Sequence, residues 1–288
     1  MKNLNRPIIV IAGPTCSGKS GIALQLAKDI DGVIVNGDSR QIYKELRIGT
    51  ARPTQEEMQG IPHYLYGHIS VTEDYNIFKY QKDFNRTIQE IPNEKAIILV
   101  GGTGLYIDSV IFNYKLKKNN EKGSIIESED IEEIRKLIPK SILEDLNESD
   151  SNNPRRLLRI IQKGTREAER GNPLPHKYFV IDIEPNVLRE RIAKRVDSML
   201  EGGLVEENHR LQIEGLTEYK ALSTIGYQEF RGYFDGTKKL EDVKQEIINH
   251  TNQYAKRQRT WFRRNPNAIW SNNYPFILEE SLKLNSMV

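Results

Sequence analysis

Cysteine is almost missing from this sequence: Cys16 is the single one in 288 residues. An internal disulfide is therefore excluded, and the chain suits a reducing cytosol. A zinc cluster is excluded with it, because His63, His68, His176, His209 and His250 show no metal-ligand spacing that one thiol could complete. Long apolar runs are also absent. The run IIVIA near the amino end is too short for the core of a signal peptide, and no stretch approaches the length of a membrane span. No internal repeat is visible, and no Ser-His-Asp arrangement can be argued. These absences leave a soluble, cytoplasmic protein with no membrane partner. Its composition, 38% hydrophobic and 28% charged, is ordinary for a globular chain. The length predicts one large α/β domain or a domain with a small insertion, with ample core.

Net charge is only +2, but its distribution is uneven. Residues 121–150 hold ten acids against four bases, whereas 154–177 hold seven bases against two acids. The stretch TNQYAKRQRTWFRR, residues 251–264, holds five bases and no acid. Local basic patches on a nearly neutral chain suit a polyanion at one face. Taken singly, each patch reads equally well as a solvated helix face. Trp261 and Phe262 read as core, although they lie inside a basic run as a nucleic-acid face requires.

Apolar, β-branched runs at 7–13, 32–38, 95–104 and 177–185 predict four buried strands. Helical periodicity lies between them, which predicts a parallel sheet with crossover connections. The helix NVLRERIAKRVDSMLEGG places Leu188, Ile192, Val196 and Met199 on one face and ends at Gly202-Gly203. A last long helix, about 240–264, has Val243, Ile247 and Tyr254 on one side and Lys256, Arg257, Arg259, Arg263 and Arg264 in its final turns. Residues 115–150 break the strand pattern and give short helical pieces around Pro139, so they read as a small helical insertion. The expected organisation is a core of 1–114 and 151–288 with an insertion at 115–150. Ligands of such sheets sit beyond the carboxyl ends of the strands, so residues 13–20, Asp38 and residues 101–104 are expected to share one crevice.

The strongest local signal is Gly13-Pro14-Thr15-Cys16-Ser17-Gly18-Lys19-Ser20, a full match to the phosphate-loop pattern G-x-x-x-x-G-K-[ST]. It follows a predicted strand and opens a predicted helix. Backbone amides and the helix N-terminus favour anionic oxygens there, Lys19 adds a point charge, and the Ser20 hydroxyl suits Mg²⁺. The fold class that follows is α/β, phosphate-loop NTPase-like, with three layers around a parallel sheet. Such loops usually hold a nucleotide triphosphate, with an acid on another strand end for the metal shell. The strand AIILVGG has none; its end is glycine, then Thr103. The candidate acid is Asp38, after the second strand. It reads as a metal holder, as a proton acceptor, or as the cap of a helix through DSRQIY.

Several segments together resemble the tRNA dimethylallyltransferase family: GPTCSGKS, NGDSRQIYKELRIGTARPT, LVGGTGLYI, NPRRLLR, RVDSMLEGGLVEE, STIGYQEF and YAKRQRTWFRR. They run from residue 13 to 264, and the second ties Asp38 to an Ile-Gly-Thr-Ala-Arg-Pro that kinases do not share. The resemblance implies a cytoplasmic enzyme, acting as a monomer, that moves a dimethylallyl group from dimethylallyl diphosphate to N6 of the adenosine beside the anticodon of tRNA. It implies that Gly13 to Ser20 hold the diphosphate with Mg²⁺, and that Asp38 is the general base with Thr103 beside the amine. It implies tRNA contacts at Asp38, Ser39, Arg40 and Gln41, at Arg155, Arg156, Leu157, Leu158 and Arg159, and at Lys256 and Arg257. The sequence departs from the family pattern in three ways. The loop ends in Ser20 where threonine is commoner, STIGYQEF lacks arginines that some members carry, and the insertion is shorter than in many. No carboxy-terminal zinc finger is expected, which resembles the bacterial form. Two other classes remain open on the residues alone: a small-molecule enzyme, such as an adenylate isopentenyltransferase or a kinase, and an RNA-binding module with an inactive loop. The basic patches count against the first, and Lys19, Ser20 and Asp38 against the second.

Overall fold

A computed structural model describes residues 6–116, 130–144, 146, 151–163 and 169–285. The chain forms two compact units, Met1–Asn113 with Asn172–Val288, and Tyr114–Gly171.

The first unit is built on a six-stranded parallel sheet in the order β3-β2-β4-β1-β5-β6. The strands are β1 (Ile8–Ala12), β2 (Gly32–Asn36), β3 (His63–Tyr64), β4 (Ala96–Gly101), β5 (His176–Val180) and β6 (Ile269–Trp270). All five residues of β1 are buried, as a central parallel strand covered on both faces must be. Alternation divides them. Ile8, Val10 and Ala12 face a core that includes Tyr80, Phe84 and Ile88 of α3 (Ile77–Glu90), Ile107 and Ile111 of α4 (Gly104–Ile111), and Phe262. Ile9 and Ile11 face a second core with Ala23, Leu26 and Ala27 of α1 (Lys19–Asp29) and Ile277 and Leu284 of the terminal helix Tyr274–Asn285. Helices therefore cover both faces, giving the three-layer arrangement expected. A further turn, α2, spans Gln55–Met58.

The four expected strands are all present, each slightly shorter than its apolar run. The two-residue edge strands β3 and β6 were not expected, nor was the terminal helix.

The second unit contains α5 (Ile131–Lys136), α6 (Lys140–Glu144) and α7 (Pro154–Lys163). Its core is Ile134, Ile138, Leu157 and Ile160. This extends the insertion expected at 115–150. The apolar stripe of α7 packs on α5, so α7 belongs to the helical unit rather than to the core.

The first unit continues with α8 (Pro185–Glu201), α9 (Leu204–Ile213) and α10 (Leu240–Phe262). Pro185 opens α8 at a position where its missing N–H costs nothing. The expected stripe Leu188, Ile192 and Val196 is buried, and Met199 is half-buried. Among the described residues, no helix is long and apolar enough to cross a membrane.

Candidate active site

The phosphate loop links β1 to α1, beside the carboxyl end of β5. Gly13 is forced by that contact: with φ 152°, a Cβ there would lie 2.4 Å from the Ile181 carbonyl oxygen. Gly18 caps α1 in the left-handed region, at φ 94°. Gly13, Pro14 and Ser17 are buried, so they shape the loop from beneath. Thr15, Lys19 and Ser20 line a cavity of about 610 Å³ together with Asp38, Ser39, Arg40, Gln41, Gly101 and Thr103. The three loop regions expected to share one crevice do share it.

Lys19 donates to the Pro14 carbonyl at 3.3 Å. Burial pushes its ammonium down to about 8, against the opposing pull of Asp38, and Arg195 pushes it the same way. Arg195 donates to Thr15 Oγ1 at 3.2 Å and lies 3.5 Å from Cys16 Sγ, so a second cation lies at the loop. Ser20 is exposed to the cavity beside Lys19. No three His, Cys, Asp or Glu side chains gather to hold a metal among the described residues. The Ser20 hydroxyl at the cavity fits a hard cation that would draw its other ligands from phosphate and water oxygens, as Mg²⁺ does.

The Asp38 side is built differently. Asp38 follows β2 by two residues, and Asn36, fully buried, fixes the turn between them. Asn36 accepts the Asp38 N–H at 2.9 Å and donates to the carbonyls of Asp38 and Leu65, each at 3.0 Å. Asp38 Oδ1 accepts the Arg40 N–H at 2.8 Å. No helix follows; residues 39–42 form bends and turns, so the helix-cap reading of Asp38 fails. Thr103 Oγ1 accepts the Ser39 N–H at 3.0 Å and donates to Ser39 Oγ at 3.2 Å. Tyr254 of α10 lines the cavity with Thr103, and burial raises its phenol to about 12 with help from Asp38.

The cavity also has an apolar wall. Ile192, Val196 and Met199 of α8, Ile225, and Ile247 of α10 line it. The loop Gly49-Thr50-Ala51 closes another side. It is braced by buried Glu207, which accepts N–H bonds from Arg47, Ile48 and Gly49 at 3.0–3.2 Å and the Tyr227 hydroxyl at 2.6 Å.

Arg257 lines the cavity, whereas Lys256 is exposed away from it. The basic run of 251–264 is not one solvated face. Arg259 is ion-paired with Asp182 at 2.7 Å, and Arg264 lies over the Trp261 ring, 4.9 Å from its centroid. Phe262 is core, and Trp261 Nε1 donates to Asp108 at 2.7 Å, so neither aromatic is presented to a partner. Leu157 is fully buried and Leu158 half-buried in the helical unit, so an RNA contact at Leu157 would have to come from its backbone. The side chains of Arg155, Arg156 and Arg159 lie outside the described residues.

Sequence reasoning missed Arg195, Glu207 and Gln258. Each is a polar side chain on a helix face that otherwise reads as apolar: Arg195 beside Ile192 and Val196, Glu207 between Leu204 and Leu211, and Gln258 between Ala255 and Phe262.

Comparison with known proteins agrees with this architecture. The profile of the IPP transferase family matches residues 41–265. A tRNA dimethylallyltransferase of Acholeplasma laidlawii is 36% identical over 286 residues, covering 96% of this chain and 97% of the relative. One of Staphylococcus aureus is 34% identical, covering 93% of each. The crystal structure of a tRNA isopentenylpyrophosphate transferase from Staphylococcus epidermidis superposes with a TM-score of 0.74 at 30% identity, over 98% of this chain and 100% of that one. A eukaryotic dimethylallyltransferase, solved acting on tRNA, gives 0.75 at 28% identity over 89% of this chain and 70% of that one. By sequence profile, by full-length relatives and by fold, the chain belongs to the IPP transferase family, that of the tRNA dimethylallyltransferases.

Proposed function

We propose that the protein transfers a dimethylallyl group from dimethylallyl diphosphate to N6 of adenosine 37, beside the anticodon, in tRNAs that read codons beginning with U, leaving N6-(dimethylallyl)adenosine. The observation that carries this reading is a single cavity with two opposed chemistries. Lys19, Ser20 and Arg195 suit an anion at one end, and Asp38 with Thr103 suits an amine at the other.

An exocyclic adenine amine is a weak nucleophile, because its lone pair is shared with the ring. It needs a strong electrophile and an acceptor for its proton. An allylic diphosphate is such an electrophile, since positive charge at C1 spreads over the allyl system. The new bond joins C1 to N6 as the C1–O bond breaks, and the electron pair leaves with the diphosphate. Loop amides, Lys19 and Arg195 stabilise that leaving charge. Ser20 would hold Mg²⁺ when it is bound, and the ion would supply further positive charge against the leaving diphosphate. The carboxylate of Asp38 takes the N6 proton, and a positioned base of this kind contributes roughly 10²–10⁴-fold. Ile192, Val196, Met199 and Ile247 offer the prenyl chain an apolar wall. The adenosine must leave its stack to enter the cavity. Arg40 and Arg257 at the cavity, with Lys256, Arg155, Arg156 and Arg159, are the proposed phosphate contacts, and Ser39 and Gln41 meet the nucleotide beside Asp38.

The deciding experiment offers radiolabelled dimethylallyl diphosphate with Mg²⁺ to unmodified tRNA and to AMP in parallel. Label is expected at adenosine 37 of tRNA. Label in AMP alone would make the substrate a free nucleotide, and label in neither would refute the transfer reaction.

A further inference from the structure

The buried positions of α10 are Val243, Ile247, Ala255, Gln258 and Phe262. Gln258 is the polar one, with 4% of its surface exposed. A buried carboxamide is costly unless both of its ends are paired. Here both are. Oε1 accepts the Thr15 N–H at 2.8 Å, and Nε2 donates to the Gly102 carbonyl at 2.8 Å.

The position of this amide in the sheet is informative. Neighbouring strands β1 and β4 stay in register up to Ala12 opposite Gly101. Beyond that pair the two chains part, one into the phosphate loop and the other towards Thr103. Gln258 spans the gap beyond them, as a side-chain bridge from Thr15, three residues past Ala12, to Gly102, one residue past Gly101. Gly102 has no room for anything else: a Cβ would lie 2.2 Å from Gln258 Nε2 and 3.5 Å from Asp38 Oδ2. A continuous path therefore runs from Thr15 through the Gln258 amide to Gly102, then Thr103 and Ser39, which adjoins Asp38.

We propose that Gln258 is a positioning residue that couples the diphosphate-holding loop to the Asp38–Thr103 end, so that loop occupancy sets the placement of the proton acceptor. The inference rests on the transfer reaction proposed above. It has a corollary for the loop: the Thr15 amide is committed to Gln258, so the amides that cradle the diphosphate are those that follow it.

Glutamate at this position separates the two hydrogen bonds. As a carboxylate it still accepts from Thr15 but has nothing to donate to Gly102; protonated, it restores both bonds. The neighbouring ionisable groups, Asp38, Lys19, Arg195 and the Asp182–Arg259 pair, respond to a new carboxylate, so the pH profile of Gln258→Glu is read beside that of Gln258→Met, which adds no charge. The kcat of Gln258→Glu relative to wild type is expected to climb roughly tenfold as pH falls from about 8 to 6. Gln258→Met, similar in size and without an amide, should lose roughly tenfold in kcat at every pH, with KM for tRNA unchanged. A flat ratio for Gln258→Glu, or wild-type kcat in Gln258→Met, overturns the role. Hydrogen exchange supplies a readout that does not need turnover. Dimethylallyl diphosphate should slow exchange in the loop and also at Gly102–Thr103 in the wild type, but only in the loop of Gln258→Met. Protection confined to the loop in the wild type would refute the coupling. Coupled protection without label transfer would keep the coupling and refute the reaction.

Discussion

The two ends of the cavity are made by different means. The anion end is mainly backbone and cations: a glycine-shaped loop, Lys19 and Arg195. The Asp38 end is a mesh of short side chains: Asn36 bonds the Asp38 backbone at 2.9 and 3.0 Å, Thr103 bonds Ser39 at 3.0 and 3.2 Å, and the carboxylate itself accepts the Arg40 N–H at 2.8 Å. The difference suits the two tasks proposed for these ends. A diphosphate spreads its charge over many oxygens, so several donors share it and small displacements are tolerated. A proton moves to one atom, and a misplacement of about 1 Å can cost roughly 10²-fold. The first end keeps Lys19 buried near the Arg195 cation; the second is held by hydrogen bonds among its own side chains and backbone.

The comparison breaks most sharply at Asp38. Asp38→Asn keeps an oxygen for the Arg40 N–H and so preserves the turn, but it removes the proton acceptor. Turnover is expected to fall by roughly 10²–10⁴-fold while tRNA affinity, read by filter binding, stays within about twofold. Near-normal kcat would remove Asp38 as base.

At the other end the expected loss is smaller and falls on binding. Lys19→Ala should weaken dimethylallyl diphosphate by roughly 10–100-fold, the scale of a hydrogen bond to a charged group. The lowered pKa adds a pH signature. With the free ammonium titrating at about 8, the lysine is largely protonated at neutral pH and largely neutral near pH 9. Bound diphosphate favours the charged form and raises the pKa. Binding above pH 8 must therefore take up a proton, and affinity falls as pH rises through 8. Calorimetry in two buffers of different ionisation enthalpy should show little uptake at pH 7 and a substantial fraction of a proton at pH 8.5. Uptake that is equal at both values, or that survives in Lys19→Ala, would assign the proton elsewhere.

The contrast also governs what can be read from sequence. The loop is legible because its function is local: eight consecutive residues carry the glycines, the lysine and the hydroxyl. Asp38 is legible only as an acid after a buried strand. Its helix-cap alternative could be dismissed only by seeing that residues 39–42 turn instead of coiling. Gln258 and Arg195 are illegible for a physical reason: their partner Thr15 lies 243 and 180 residues away, and no local pattern encodes such a contact. The same holds for α7. Its apolar stripe announces a buried face, but nothing near Leu157 says that the face is met by Ile134 rather than by the sheet. Strands of two residues, such as Ile269–Trp270, are too short to carry a period at all.

The smallest predicted effect separates two adjacent cations. Lys256 and Arg257 are neighbours in sequence and were expected to act alike, yet only Arg257 lines the cavity. Its guanidinium lies 5.8 Å from the centroid of the Tyr254 ring, and Tyr254 lines the cavity with Thr103 and Asp38, so Arg257 borders the Asp38 end. Lys256 points to solvent and has only the long-range attraction of a surface charge for a polyanion. Lys256→Ala should therefore lower the slope of log affinity for tRNA against log salt by about 0.7–0.9, one phosphate's share, and leave kcat alone. Arg257→Ala should lower that slope similarly and reduce kcat as well. Equal kcat in the two variants would place both residues in the electrostatic grip and leave the mesh around Asp38 complete without Arg257.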